Sequence, residues 1–114
     1  MQFKIPKDTQ YLAWTKHAVR KMIFYALSAA KVQAILFRYD RMEQGIAENT
    51  VAVMKKVGSK KNPQEVWVMY QEKKDNANSV ELKKRIVITA WRYPGTSKER
   101  IPIPEGIAAE LKNK

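Results

Sequence analysis

Residues 50–71 read TVAVMKKVGSKKNPQEVWVMYQ, and this stretch decides the fold class. The segments TVAVMKKV and EVWVMYQ are rich in β-branched and aromatic residues, so they predict two strands, Thr50–Val57 and Glu65–Gln71. Between them, GSKKNPQ contains a glycine, an asparagine and a proline, which break strands and form turns. We therefore predict consecutive antiparallel strands at the centre of the chain.

The alternation of side chains every two residues, which is typical of strands, extends in both directions from this centre. Residues 85–93, RIVITAWRY, predict a third strand, which the following proline and glycine end. Residues 72–84 are a polar connection to that strand. Residues 42–49, MEQGIAEN, predict a turn or a short edge strand, so the sheet has three or four strands.

The chain before this sheet carries helical spacing instead. From Thr15 to Leu27, apolar residues recur every three to four positions and form one stripe. The other side of this first helix presents basic or titratable side chains, namely Lys16, His17, Arg20 and Lys21. Thr15 or Thr9 is the predicted N-cap. Ser28 is the predicted N-cap of a second helix, which ends near residues 38–40.

The C-terminal residues 101–114, IPIPEGIAAELKNK, predict a short terminal helix, because Pro104 suits a first helical turn. Helices first and strands afterwards give the α+β class, with two N-terminal helices packed on one face of a three- to four-stranded antiparallel sheet. The 114 residues form one domain, since half of them would be too few for a core.

Net charge is the strongest indication of a partner. The chain has 22 lysines and arginines against 11 acidic residues, a formal charge of +11. Such an excess raises self-repulsion, which a polyanionic partner relieves. We therefore expect a nucleic acid as the partner. A solubilising lysine surface and an anionic membrane surface are the alternatives.

The composition excludes several kinds of chemistry. There is no cysteine, which rules out disulfides, thiolate metal centres and thiol catalysis and suits a cytoplasmic location. His17 is the only histidine, and neither a phosphate-binding glycine loop nor a serine nucleophile motif is present. We expect neither a metal nor a cofactor. No apolar run approaches the roughly 20 residues that cross a bilayer, so we expect no membrane partner that the chain would span.

The remaining residue types suit metal-free RNA cleavage, in which the ribose 2′-OH is the nucleophile. His17 is the natural proton shuttle, and Lys21 lies one helical turn later, where it would neutralise phosphate. The alternative is a surface histidine with a packing or capping role.

The strand ITAWRY supplies a second candidate group. Arg92 would hold a phosphate, and Tyr93 would donate a proton or stack on a base. Lys98 and Arg100 extend this basic edge. On a strand, Trp91 and Tyr93 face one way and Arg92 the other. Trp91 and Trp67 are better explained as core aromatics.

Arg41 and Glu43 form a third candidate group after the second helix. Arg41 would contact phosphate, and Glu43 would act as a base or orient His17. A solvated salt bridge between the two is the alternative. Glu43 or Glu65 is also the expected structural partner of Arg92.

The helical residues carry a family resemblance. The run HAVRKM at residues 17–22, followed by LSAAKVQAIL at 27–36, resembles the opening of an uncharacterised small-domain family. That family is grouped with the RelE- and BrnT-like toxins, within the barnase/EndoU/colicin/RelE-type nucleases. The resemblance covers residues 12–93. It implies metal-independent RNA cleavage under the control of an antitoxin, with His17 and Lys21 matching the helical motif.

These observations lead to one main hypothesis and two alternatives. The main hypothesis is a cytoplasmic, metal-independent endoribonuclease of the RelE/BrnT-like toxin type, partnered by RNA and an acidic antitoxin protein. The first alternative is a non-catalytic nucleic-acid-binding module that uses the same basic face, Lys16, Arg20, Arg41, Lys98 and Arg100 included. The second is a basic module that binds an acidic protein.

Overall fold

The computed structural model describes residues 3–45, 49–75 and 82–97. Within these ranges the chain forms two helices and five strands. In chain order the elements are β1 (Leu12–Trp14), α1 (Lys16–Phe24), α2 (Ala29–Phe37), β2 (Arg41–Gln44), β3 (Thr50–Gly58), β4 (Pro63–Asp75) and β5 (Leu82–Pro94). No helix in the described ranges is long and apolar enough to cross a membrane.

The five strands make one mixed sheet in the order β1-β5-β4-β3-β2. The neighbours from β5 to β2 are antiparallel, whereas β1 runs parallel to β5, with Leu12 opposite Arg85. The α+β class and the order of helices and central strands are confirmed, and β2 is the short edge strand. The prediction of a wholly antiparallel sheet of three or four strands is wrong. The predicted C-terminal helix lies outside the described residues.

The sequence pattern did not predict β1, because this strand is only three residues long. A period of two needs at least four residues to register, and the pairing partner of β1 lies about seventy positions along the chain. The parallel pairing has a consequence for the helices. Since α1 begins directly after β1, its first turn lies beside β5.

Both helices begin where their N-caps predict. The Thr15 hydroxyl accepts a hydrogen bond from Ala18 N at 3.0 Å, and the Ser28 hydroxyl accepts one from Lys31 N at 3.1 Å. Helix α1 ends at Phe24, earlier than the predicted Leu27. Ala26 adopts a left-handed conformation with a φ of 56°, which stops the helix.

The helices pack on one face of the sheet and bury the first core cluster. Its strand members alternate along β3, β4 and β5, as expected when one sheet face is covered. Its buried members are Trp14, Ala18, Met22, Leu27, Val32, Ile35, Leu36, Val53, Val66, Val68, Tyr70, Val87 and Ala90.

A second cluster lies on the opposite face of the sheet. It comprises Ala52, Met54, Trp67, Met69, Ile88 and Trp91. The rings of Trp67 and Trp91 are parallel, 3° apart in orientation, with centroids 5.9 Å apart, and both side chains are fully buried. The prediction that these tryptophans are core aromatics is therefore confirmed.

A bulge in β5 sets which side chains face each cluster. The register between β4 and β5 shifts next to Met69, which pairs with Thr89, whereas Tyr70 pairs with Val87. The extra residue, Ile88, belongs to the second cluster. From Thr89 onward, side chains alternate as the sequence predicts. Trp91 and Tyr93 therefore lie on one face of the sheet and Arg92 lies on the other.

Candidate functional site

His17 lies in the first turn of α1 and is buried, with 6% of its surface exposed. Its Nε2 is 3.1 Å from the Thr89 hydroxyl on β5. The sequence placed His17 on the polar side of the helix together with Lys16, and that placement is wrong. The reason is the entry of the chain into α1: Thr15 bonds to Val87 O and Ile88 O, which holds the first turn against β5.

Arg92 lies half-buried on the helix side of β5 and stabilises the junction between the helices. Its Nε donates to Tyr25 O at 2.7 Å, and one terminal nitrogen donates to Ala26 O at 3.5 Å. Carbonyls at a helix C-terminus lack partners within the helix and carry partial negative charge, so a guanidinium suits them. The expectation of Glu43 or Glu65 as the partner of Arg92 is wrong, because backbone acceptors take that place.

Arg41 and Glu43 form the salt bridge that the sequence offered as an alternative. Arg41 Nε lies 3.0 Å from Glu43 Oε1. A terminal nitrogen of the same guanidinium donates to the Ser97 hydroxyl at 2.9 Å, and the guanidinium carbon lies 5.2 Å from the centroid of the Trp67 ring. Both charged side chains are partly buried. These contacts tie β2 to the chain that follows β5.

Glu65 is the buried carboxylate of the second face, with 1% of its surface exposed. One carboxylate oxygen accepts from Trp67 Nε1 at 2.9 Å, and the other accepts from Ser97 N at 3.1 Å. The sequence reasoning did not place Glu65 among the site residues. The signal was present, because Glu65 is two residues before Trp67 on a strand and so shares its buried face.

Tyr93 pairs with Glu65 in the register of β4 and β5, and it packs half-buried against the second cluster. Across the sheet, Arg41 is in register with Trp91, two residues before Tyr93, whereas Glu43 is in register with Thr89. The structure keeps Glu43 apart from His17. Three strand spacings separate β2 from β5, about 14 Å at roughly 4.8 Å each. Glu43 therefore cannot orient His17.

The outer face of α1 carries the exposed groups of this helix. Lys16, Arg20 and Phe24 lie at successive i+4 positions and are all exposed, Phe24 at 74%. We call these three residues the α1 stripe. Lys21 is half-buried beside it, with Nζ 5.5 Å from the centroid of the Phe24 ring. The sequence reasoning missed Phe24, because it treated the apolar residues of this helix as core.

The described residues give this site three parts with different chemistry. His17 and Arg92 are engaged with β5 and the helix junction. Arg41 contacts Glu43 and Ser97, and Glu65 accepts from Ser97 N, so these residues connect β2 and β4 to the chain after β5. The α1 stripe presents exposed cationic and aromatic side chains on one helix face. Lys98 and Arg100 lie outside the described residues. Within residues 3–45, 49–75 and 82–97, no group of three or more potential metal ligands comes together.

Comparisons with family models, curated proteins and solved structures find no match to this chain. The geometry of its own residues therefore carries the functional interpretation.

Proposed function

We propose that this protein binds single-stranded RNA through the α1 stripe and does not cleave it. The observation that carries the proposal is the exposed series Lys16, Arg20 and Phe24 on one helix face. Lysine and arginine neutralise phosphates, and an exposed aromatic ring offers a surface on which an unpaired base stacks. The location suited to this role is the cytoplasm.

The contacts of the predicted catalytic residues favour binding over cleavage. A general acid or base must reach the proton that it transfers, within about 3 Å or through one water. His17 is buried against Thr89, Arg92 is bonded to two carbonyls, and Glu43 is paired with Arg41. Each of these groups therefore has a role in holding the fold together.

A metal-independent ribonuclease of the RelE/BrnT-like type is the second candidate. One observation favours it: His17 lies in the first turn of α1 and Arg92 contacts the carbonyl that follows its last turn, so both groups lie beside the same helix. The resemblance of residues 17–22 and 27–36 to that family's opening also supports this candidate. In this case RNA is the substrate, and an acidic antitoxin protein is the expected partner.

A titration with labelled RNA tests the main proposal. The probe is a fluorescent ten-nucleotide oligo(U), followed by anisotropy at several salt concentrations with EDTA present. Three phosphate contacts, from Lys16, Arg20 and Lys21, predict a log–log slope of about −2, at ~0.7 per contact. Phe24→Ala should weaken binding, while Lys60→Gln in the turn between β3 and β4 should have a small effect.

The same samples separate the candidate functions. Intact RNA after long incubation, together with salt-dependent binding, supports the binding module. Cleavage that persists in EDTA and is lost in a folded His17→Gln variant supports the ribonuclease. Absence of affinity at low salt contradicts both and leaves an acidic protein as the expected partner.

A further inference from the structure

A cleft of about 340 Å³ lies between the C-terminal end of α2 and the start of β1. Tyr11 and Phe37 form its aromatic walls, and Leu12 and Leu36 contribute apolar surface. The volume is within the range of small-ligand sites, roughly 300–1,000 Å³. Neither Tyr11 nor Phe37 entered the sequence-based site, and neither belongs to the α1 stripe.

Both aromatic walls are unusually open to solvent. Tyr11 is 57% exposed and Phe37 is 78% exposed. Two large rings beside one cleft provide apolar area that the fold itself leaves unused. Nucleobases stack on flat, apolar surfaces of this kind, because every base has an aromatic face.

The backbone of Tyr11 is fixed before any ligand binds. Tyr11 N donates to the Thr9 hydroxyl at 3.2 Å, and Tyr11 O accepts from Arg85 N at 3.0 Å. The second bond extends the pairing of β1 with β5. A fixed backbone reduces part of the entropy that is lost when the Tyr11 ring packs against a ligand.

Charged side chains at the same cleft select for an anion. Lys83 and Arg85 contribute two positive charges against one negative charge from Glu72. Lys83 Nζ lies 3.9 Å from Glu72 Oε1, with 64% and 37% of the two side chains exposed. Such a long, exposed ion pair is weak, so Lys83 can exchange this partner for a phosphate. The Arg85 guanidinium carbon lies 5.1 Å from the centroid of the Tyr70 ring, which holds it near the cleft.

We propose that this cleft binds one nucleotide of a single-stranded RNA, with the base stacked on Phe37 and Tyr11 and the phosphate paired with Lys83. The inference rests on the proposed RNA-binding function and adds a second contact point to it. Tyr11 precedes Lys16 by five residues, which extend over at most about 18 Å. One short strand of RNA can therefore reach both the cleft and the α1 stripe.

Substitutions at the cleft test the proposal with the same labelled oligo(U). Phe37→Ala removes a stacking surface and should weaken binding about five- to a hundredfold. The matched control is Met42→Ala, which removes an exposed apolar side chain of β2 and should leave affinity within twofold. Phe37→Trp should preserve binding, and its indole fluorescence should be quenched when RNA binds.

Charge substitutions at the cleft give effects of opposite sign. Lys83→Gln should weaken binding and make the salt slope about 0.7 shallower, whereas Lys60→Gln should leave the slope unchanged. Glu72→Gln should strengthen binding, because it removes both a competitor for Lys83 and a repulsive charge.

Two distinct results overturn the proposals. If Phe37→Ala and Lys83→Gln bind RNA like the unaltered protein while Phe24→Ala binds weakly, the cleft is not a subsite and the proposed function stands. If the unaltered protein has no affinity for oligo(U) at low salt, the proposed function fails together with the cleft.

Discussion

His17, Arg92 and Glu65 are polar residues whose side chains hold separate segments of the chain together. His17 joins α1 to β5, Arg92 joins β5 to the helix junction, and Glu65 joins β4 to Ser97. Buried polar groups are costly unless they are hydrogen-bonded, so each of these residues depends on the partner it has. The free energy of unfolding of variants at these positions should therefore be measured before their affinity for a partner.

For His17, the burial predicts a loss of stability that an exposed histidine would not cause. His17→Ala leaves the Thr89 hydroxyl without this partner in a buried position, which should cost about 1–3 kcal/mol in the free energy of unfolding. Urea titration measures the change. Lys16→Ala, on the exposed side of the same helical turn, should stay within about 0.5 kcal/mol. Equal stabilities of the two variants would show that His17 is not packed against β5.

For Arg92, the expected effect is a weaker junction between α1 and α2. Arg92→Ala removes a charged donor from Tyr25 O, and the loss should be about 1–2 kcal/mol because the guanidinium is only half-buried. Thermal unfolding is the appropriate measurement. Lys16→Ala is the comparison, since Lys16 is an exposed cation on α1. A Tm lowered equally by both variants would contradict the assigned contact.

The residues of the candidate site show what periodicity can and cannot predict. The alternation that separates Trp91 and Tyr93 from Arg92 is a property of one strand, and it was predictable. The burial of His17 was not, because it depends on the parallel pairing of β1 with β5. The acceptors of Arg92 are carbonyls, which no side-chain pattern reveals.

At the scale of elements, Asp40 attaches the start of β2 to β3. One carboxylate oxygen accepts from Lys56 N at 2.8 Å, and the other lies 3.3 Å from Lys55 Nζ. The hydrogen bond from Lys56 N lowers the pKa of Asp40 below its usual value. Burial opposes this shift, and the Lys55 side chain adds to it. Asp40 therefore favours the folded state when it is ionised.

The direction of this pKa shift sets a pH dependence. A depressed folded pKa contributes stability that is present above the unfolded value, about 3.9, and is lost as pH falls through the folded value. The unaltered protein should therefore be more stable than Asp40→Asn at pH 6, and the difference should diminish below about pH 4. Urea titrations across this range measure it. A difference that grows toward acidic pH would contradict the shift.

The turn between β3 and β4 and the turn after β5 differ in how much they require glycine. Gly58 has a φ of 84°, and an added Cβ would lie 2.4 Å from Asn62 O. Gly95 has a similar φ of 89° but no atom within 4 Å of that position. Gly95→Ala should cost about 1–2 kcal/mol from backbone strain alone, and Gly58→Ala should cost more. Chemical denaturation compares them, and equal losses would contradict the close approach at Gly58.

At the scale of the whole molecule, the sequence predicted the fold class and the central strands because these depend on local patterns. The turn after Val57 and the helix start at Ser28 belong to this class. Strand β1 depends on pairing with the distant strand β5, so local patterns did not reveal it. The exposed rings of Phe24 and Phe37 were equally hidden, because an apolar residue in a helix normally indicates the core.

The net charge and the exposed aromatic rings together support the proposed binding of single-stranded RNA. A formal charge of +11 attracts polyanions of any sequence, and salt weakens that attraction. The proposed stacking on Phe24 would act at short range and favour unpaired bases over a duplex. We therefore expect single-stranded RNA to bind more tightly than an RNA duplex of the same length.

The most direct test of the central claim is an anisotropy titration of labelled oligo(U) with the unaltered protein and with Phe24→Ala, in EDTA. We expect binding with a log–log salt slope of about −2 from the α1 contacts alone, or about −3 when Lys83 adds a fourth contact, together with a five- to hundredfold loss of affinity in Phe24→Ala and RNA that stays intact. Equal affinity of both proteins for the RNA, or cleavage of the RNA by the unaltered protein, would contradict this claim.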